Sequence, residues 1–229
     1  MATRSKSSAK PVGKFIVIES IDAAGGSTQA DLLVARLQQA GYQPHKFHYP
    51  QHNEPTGQVV YGKFLHAKNT AKFTRREQAL LYIQDFFAGS SQLRNAIESA
   101  PNAVAVSDRY CTSTMAYQTI GMTGARRQTL LAWMKWMCWQ GTPKLPKPDL
   151  VLLLDLPTEI SVKNLTGRRQ DYFENKQKQE AIRRSYLKLA NTQRWKVVNC
   201  ALGQGKSAVQ RSREDIHSDV WQAVEAVIS

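Results

Sequence analysis

Phe15-Ile16-Val17-Ile18-Glu19-Ser20-Ile21-Asp22-Ala23-Ala24-Gly25-Gly26-Ser27-Thr28-Gln29 decides how the rest of this chain is read. An apolar run of strand length leads into a turn of small residues, and Ser27-Thr28 opens a helix. A strand, a small-residue loop and a helix N-terminus together aim backbone N–H groups at a phosphate chain. The usual pattern is Gly, four residues, then Gly-Lys-Ser/Thr. Here Ser20 stands in place of the first glycine and Gly26 in place of the lysine. The stretch keeps the architecture of a phosphate-binding loop and lacks its main positive charge.

Outward from the loop, residues 29–40 read as a helix with Leu32, Leu33 and Leu37 on its apolar side, ended by Gly41. Residues 43–48 form a second strand candidate, stopped by Tyr49-Pro50. A short helix is expected over 58–65. A long helix is expected over 75–100, with Leu80, Leu81, Ile83, Phe87, Leu93 and Ile97 buried and a kink at Gly89-Ser90-Ser91. Residues 103–107 read as a strand that ends in Asp108-Arg109-Tyr110. Charged residues immediately after a buried strand sit where open α/β sheets place their ligands. Helices follow over 113–120 and 127–139, and Trp133, Trp136, Met137 and Trp139 mark either core or a subunit interface. Residues 149–155 are the clearest buried strand. The pattern breaks at 166–171 with charge and glycine, resumes as a helix over 174–194, and closes with a strand at 195–200 and an amphipathic helix over 213–228. Strands alternating with helices predict an α/β fold in three layers, with a central parallel sheet of about five strands flanked by helices.

The whole chain bounds the function. With 229 residues and 42% apolar residues it is long enough for a sizeable core. A formal charge of +13 suits either a nucleic-acid binder or an enzyme that handles several phosphates. The basic residues are spread along the helical regions, so nucleic acid is not the expected partner. Cys111, Cys138 and Cys200 are widely separated, which argues against a zinc site and for reduced thiols in the cytoplasm. No apolar run approaches the roughly 18 residues that a membrane span needs. Residues 1–13 read as a disordered basic tail without the apolar segment of a secretory signal.

Taken in order, these stretches resemble the thymidylate kinases, P-loop enzymes that move the γ-phosphoryl group of ATP onto dTMP. The resemblance rests on the loop at 15–29, Tyr49-Pro50, the segment 77–82, Asp108-Arg109-Tyr110, Pro146-Lys147-Pro148-Asp149 and Phe173-Glu174. It implies a P-loop kinase domain over 14–229 with a short lid at about 166–173. ATP is then the co-substrate, dTMP the acceptor, Mg²⁺ the cofactor and a homodimer the expected assembly. The resemblance places Ala23, Ala24, Gly25, Gly26, Ser27 and Thr28 on the ATP phosphates. It puts Asp22 near the sugar 3′-hydroxyl of dTMP, and Asp108 and Arg109 toward the phosphates of donor and acceptor. Ser27 and Asp108 are the implied metal ligands. Tyr82 stacks on thymine, with Tyr117 and Gln118 lining the base pocket. Tyr49, His52, Phe86, Ser113 and Phe173 complete the dTMP site. Asp22, Arg109 and the lid residues Arg168 and Arg169 are the implied catalytic set.

Taken one at a time, the same residues have plainer readings. Asp22 is also a turn former, Ser27 a helix cap, and Asp108-Arg109 a buried ion pair. Tyr82 is also a core aromatic, and Arg168-Arg169 a solvated loop. The departures from the family fall in the site. Gly26 removes a cation, and Ser20 is strained if its φ is positive. Ala23 occupies a variable loop position. His52 and Phe86 stand where arginines are usual, and Tyr172 replaces another polar or basic residue. Either another cation, Arg168 or Arg169, covers for the lysine, or the chain is a catalytically weakened nucleotide-binding relative or a kinase for a different nucleoside monophosphate.

Overall fold

The computed structural model describes residues 12–66, 73–165, 176–203 and 205–229. A parallel sheet of five strands runs through them in the order β2-β3-β1-β4-β5. The strands are β1 (Lys14–Ser20), β2 (Gln43–His48), β3 (Ala103–Asp108), β4 (Leu150–Asp155) and β5 (Lys196–Asn199). The chain leaves β1 through α1 (Gly26–Gln39), passes over β3 to form β2, and returns to β3 through three helical segments. These are α2 (Pro55–Val59), α3 (Arg75–Ala88) and α4 (Ser90–Glu98). Between β3 and β4 come α5 (Cys111–Gln118) and α6 (Gly124–Lys135); between β4 and β5 come α7 (Thr158–Asn164) and α8 (Lys176–Gln193). The closing helix is α9 (Arg213–Ile228).

The sheet follows from composition. β1 and β3 are buried along almost their whole length because helices cover both faces of a parallel sheet. Ile16 pairs with Val106 on one side and with Leu150 on the other, so β1 is the central strand. The switch in strand order between β1 and β3 opens a crevice at their carboxyl ends, where the predicted loop and Asp108-Arg109-Tyr110 both lie.

Local chemistry sets the helix ends. Thr74 and Glu77 form a reciprocal capping box at the start of α3, with Glu77 Oε2 accepting from the Thr74 N–H at 2.6 Å. The expected kink falls at Gly89, where α3 gives way to α4. The expected helix over 58–65 is instead α2, which starts at Pro55, followed by a π-helical turn at Val60–Leu65. Leu80 was expected in the core and is 43% exposed, because α3 turns that side away from the sheet. Trp136 is exposed, whereas Trp133 and Trp139 pack against the core. A small antiparallel pair, β6 (Ala201–Leu202) and β7 (Val209–Gln210), was not expected. Gly13, placed by the sequence in a free tail, donates its N–H to Ile97 O at 2.9 Å. The rest of that tail, residues 1–11, and the lid at 166–173 lie outside the described residues.

One buried carboxylate joins three of these elements. Glu19 of β1 is fully buried. It accepts from the hydroxyls of Thr112 and Ser113 on α5, from Tyr110 N–H at 3.2 Å and from Tyr186 Oη on α8 at 2.8 Å. Burial pushes its carboxyl above the usual range, while Ser113, Thr112, Arg109 and Tyr186 pull the other way. Glu19→Ala leaves these donors buried without an acceptor. It is expected to lower the unfolding free energy by about 3–5 kcal/mol, read from urea denaturation at pH 7.

Candidate functional site

A cleft of about 960 Å³ opens at the carboxyl ends of β1 and β3. Residues 23–28 line it, at the N-terminus of α1. Gly25 takes the N-cap position with φ 94°, and no side chain caps the helix. The first-turn N–H groups are therefore available to an anion. Ser20 escapes the strain raised by its sequence position, because the left-handed residues of the loop are Gly25 and Ala23, at φ 55°. The variable position Ala23 is thus the strained one.

Asp22 stands at the centre of a closed network. Arg109 Nη2 and Gln179 Nε2 each donate to its carboxylate at 2.5 Å, one to each oxygen. The Asp22 N–H donates to Gln179 Oε1 at 3.2 Å, so one buried amide holds both the backbone and the side chain. Arg109 also donates to Tyr117 Oη at 2.9 Å. Burial alone would lower the pKa of Arg109, but Tyr117, Asp22, Tyr186 and Asp108 outweigh it and hold the guanidinium protonated. Arg109 has φ 67°, and its N–H donates to Ile18 O at 2.9 Å. A strained residue anchored to the central strand is characteristic of a functional turn.

On the other side of Asp108 lies a column of rings. His48 Nδ1 is 3.1 Å from Asp108 Oδ2. The His48 ring stacks on His52 at 4.8 Å, and His52 stacks on Tyr61 at 4.6 Å. Burial and the neighbouring His48 lower the His52 pKa, so this ring is neutral at pH 7. Tyr82 and Phe86 also line the cleft, with Phe86 packed edge-on against Tyr49 at 5.0 Å.

The cleft thus gathers Asp22, residues 23–28, Tyr49, His52, Tyr82, Phe86, Asp108, Arg109, Ser113 and Tyr117. The Ser113 hydroxyl nevertheless points to Glu19 and is engaged there. Gln118 does not line the cleft. It is fully buried within α5, and its amide has no hydrogen-bond partner among the described residues. The helix turn that points Tyr117 inward carries the next residue away from the cleft. Arg168, Arg169, Tyr172 and Phe173 lie outside the described residues.

Three supporting residues escaped sequence reasoning. Gln179 is one; Ser161 Oγ donates to Asp22 O at 2.8 Å and Asn164 Nδ2 to Ala23 O at 3.2 Å, tying α7 to the loop. Gln179 did carry a signal, since it shares the helical stripe of Ile182 and Tyr186 and is a polar residue in an apolar row. Relieving the left-handed Ala23 with Ala23→Gly is expected to raise stability by about 1 kcal/mol, net of the extra freedom glycine adds to the unfolded chain. Urea denaturation at neutral pH reads the sign.

Residues 18–212 match the family model described as thymidylate kinase. A sequence described as "Probable thymidylate kinase" from Thermococcus gammatolerans is 32% identical, with 95% of this chain and 98% of the relative covered. The thymidylate kinase of Danio rerio is 27% identical over 95% and 92% of the two chains. A solved thymidylate kinase structure from Candida albicans superposes with a TM-score of 0.72 at 22% identity, over 94% and 92%, which shows a shared fold. The family match over most of the chain and the relatives agree with the fold described above, and the chain belongs to the thymidylate kinase family.

Proposed function

We infer that the protein transfers the γ-phosphoryl group of ATP to dTMP, giving dTDP and ADP. The observation that carries this reading is the joining, in one cleft, of the uncapped loop at 23–28 with the Asp22–Arg109–Tyr117 network. Phosphoryl transfer asks a protein mainly for positioning and electrostatic stabilisation. In this reading the N–H groups at the start of α1 hold the donor phosphates. Asp22 accepts a hydrogen bond from the acceptor sugar hydroxyl. The Arg109 guanidinium forks onto phosphate oxygens as charge spreads over them. Tyr82 and Phe86 enclose the base. His52, neutral at pH 7, contributes a hydrogen bond where an arginine would contribute charge.

The donor set suits Mg²⁺. Ser27 offers a hydroxyl and Asp108 a carboxylate, both at the cleft, and no cluster of three acidic, histidine or cysteine ligands occurs among the described residues. Few protein oxygens are what a cation held largely by phosphate and water requires. When bound, Mg²⁺ supplies charge neutralisation between the phosphates. Gly26 withholds a positive charge worth about 3 kcal/mol of transition-state stabilisation. Arg168 and Arg169 are assigned to supply it from the lid over 166–173.

The domain is taken as 14–229. Homodimer formation fits the exposed Leu80 and Trp136, and a cytoplasmic setting fits the three free cysteines. Among the described residues no helix is long and apolar enough to cross a membrane.

With ATP and Mg²⁺, added dTMP is expected to raise ADP release by about ten-fold or more over the acceptor-free rate, and Arg109→Ala to lower kcat/KM by about 100-fold. A coupled ADP assay measures both, and an acceptor-independent rate overturns the reading.

A further inference from the structure

Gly26 occupies the first turn of α1, and its φ lies outside the left-handed region. Alanine is ordinarily the better residue at such a helical position. Here a Cβ at residue 26 would stand 2.8 Å from Ser20 Oγ and 2.9 Å from Asp108 Oδ1. Non-bonded atoms do not pack that closely to a carbon. The two oxygens can withdraw only toward the cleft that their side chains line. Ser20 is the last residue of the central strand β1 and is 3% exposed; Asp108 is 5% exposed. The other oxygen of Asp108 is held by His48 Nδ1.

We propose that Ser20 and Gly26 are a mutually dependent pair, in which the Ser20 hydroxyl takes the space that a side chain at 26 would need and becomes the loop's polar group toward the donor phosphates. The two departures from the phosphate-loop pattern are then a single change. In the ordinary pattern a glycine at the first position leaves room for the stem of the lysine. In this chain the stem and the hydroxyl compete for one volume, and the hydroxyl has replaced the lysine. Restoring the lysine alone places its stem against both Ser20 and Asp108. Ser20 acts as a neutral hydrogen-bond donor where a cation would otherwise stand, weaker per contact than a bond in which donor and acceptor are both charged. The packing half of the proposal is independent of the reading of the cleft; the phosphate half rests on it.

A double-mutant cycle tests both halves. Gly26→Ala is expected to lower Tm by about 3 °C or more beside Ser20 and by a smaller amount in the Ser20→Gly background, where only Asp108 Oδ1 remains close. Equal shifts in the two backgrounds, or a rise in Tm for Gly26→Ala alone, overturn the pairing. ATP affinity by calorimetry is the second readout. Gly26→Lys alone is expected to bind ATP no tighter than the natural chain, and Ser20→Gly/Gly26→Lys about ten-fold tighter than Gly26→Lys. Equal affinities of those two variants also overturn the pairing. Ser20→Ala keeps the β-carbon and loses the hydroxyl; it is expected to weaken ATP binding about five-fold with Tm within about 1 °C of the natural chain. Unchanged affinity overturns the phosphate role of Ser20 and leaves the pairing to the thermal cycle. Absence of ATP binding by the natural chain overturns the functional reading itself, and the thermal cycle still decides the packing.

Discussion

The burial of Glu19 governs how the cleft is built. It is a carboxylate one residue before the end of the central strand, with no access to water. Such a group is tolerated only if its oxygens are saturated with donors. Saturation here draws the Tyr110 N–H, two hydroxyls of α5 and one hydroxyl of α8 to a single point. The turn after β3 is thereby fixed relative to β1. Arg109, immediately before Tyr110, has its direction set by that turn. The position of the charged residues in the cleft is thus a consequence of a buried carboxyl group that does not itself line the cleft.

The same logic repeats one shell outward. Asp22 is partly exposed, yet each carboxylate oxygen has a close partner, and its backbone N–H and carbonyl are taken by Gln179 and Ser161. Four points of attachment leave the loop little freedom before Gly25. The left-handed Ala23 persists because the surrounding bonds over-determine it. Preorganisation of this kind lowers the ordering that a ligand would otherwise have to impose. A serine at the first position is also accommodated, since the left-handed torsions of the loop lie at Ala23 and Gly25 and not at Ser20.

Much of this was legible in the chain. The apolar runs over 15–19, 103–107 and 149–155 predicted parallel strands because a sheet covered on both faces has no polar side. The placing of Asp108-Arg109-Tyr110 at a strand end followed from the abrupt change to charge after a buried run. Leu80 misled because an apolar residue on a helix carries no label for the side it faces. Gln118 misled because each step along a helix rotates the side chain by about 100°, which here carries it from the cleft into the interior. Gln179 and Ser161 escaped because their partner, Asp22, lies more than a hundred residues away, and pairing over that distance leaves only the faint trace of a polar residue in an apolar stripe.

The charges of the cleft are largely matched internally. Arg109 is paired with Asp22, Arg211 with Asp219, and His48 faces Asp108. At 2.5 Å the Arg109–Asp22 pair has strong mutual attraction in a partly buried setting. An incoming phosphate must therefore compete with Asp22 for the guanidinium, and a sugar hydroxyl must compete with Arg109 and Gln179 for the carboxylate. A ligand that carries both groups at once resolves this competition. Its hydroxyl can donate to an Asp22 oxygen as its phosphate draws the guanidinium away, so the carboxylate keeps a donor and the guanidinium an anionic partner. A lone phosphate or a lone sugar satisfies only one side and leaves the other charge uncompensated. Under the proposed function the network thus selects for a sugar hydroxyl and a phosphate carried on one molecule, before any contact with the base is made.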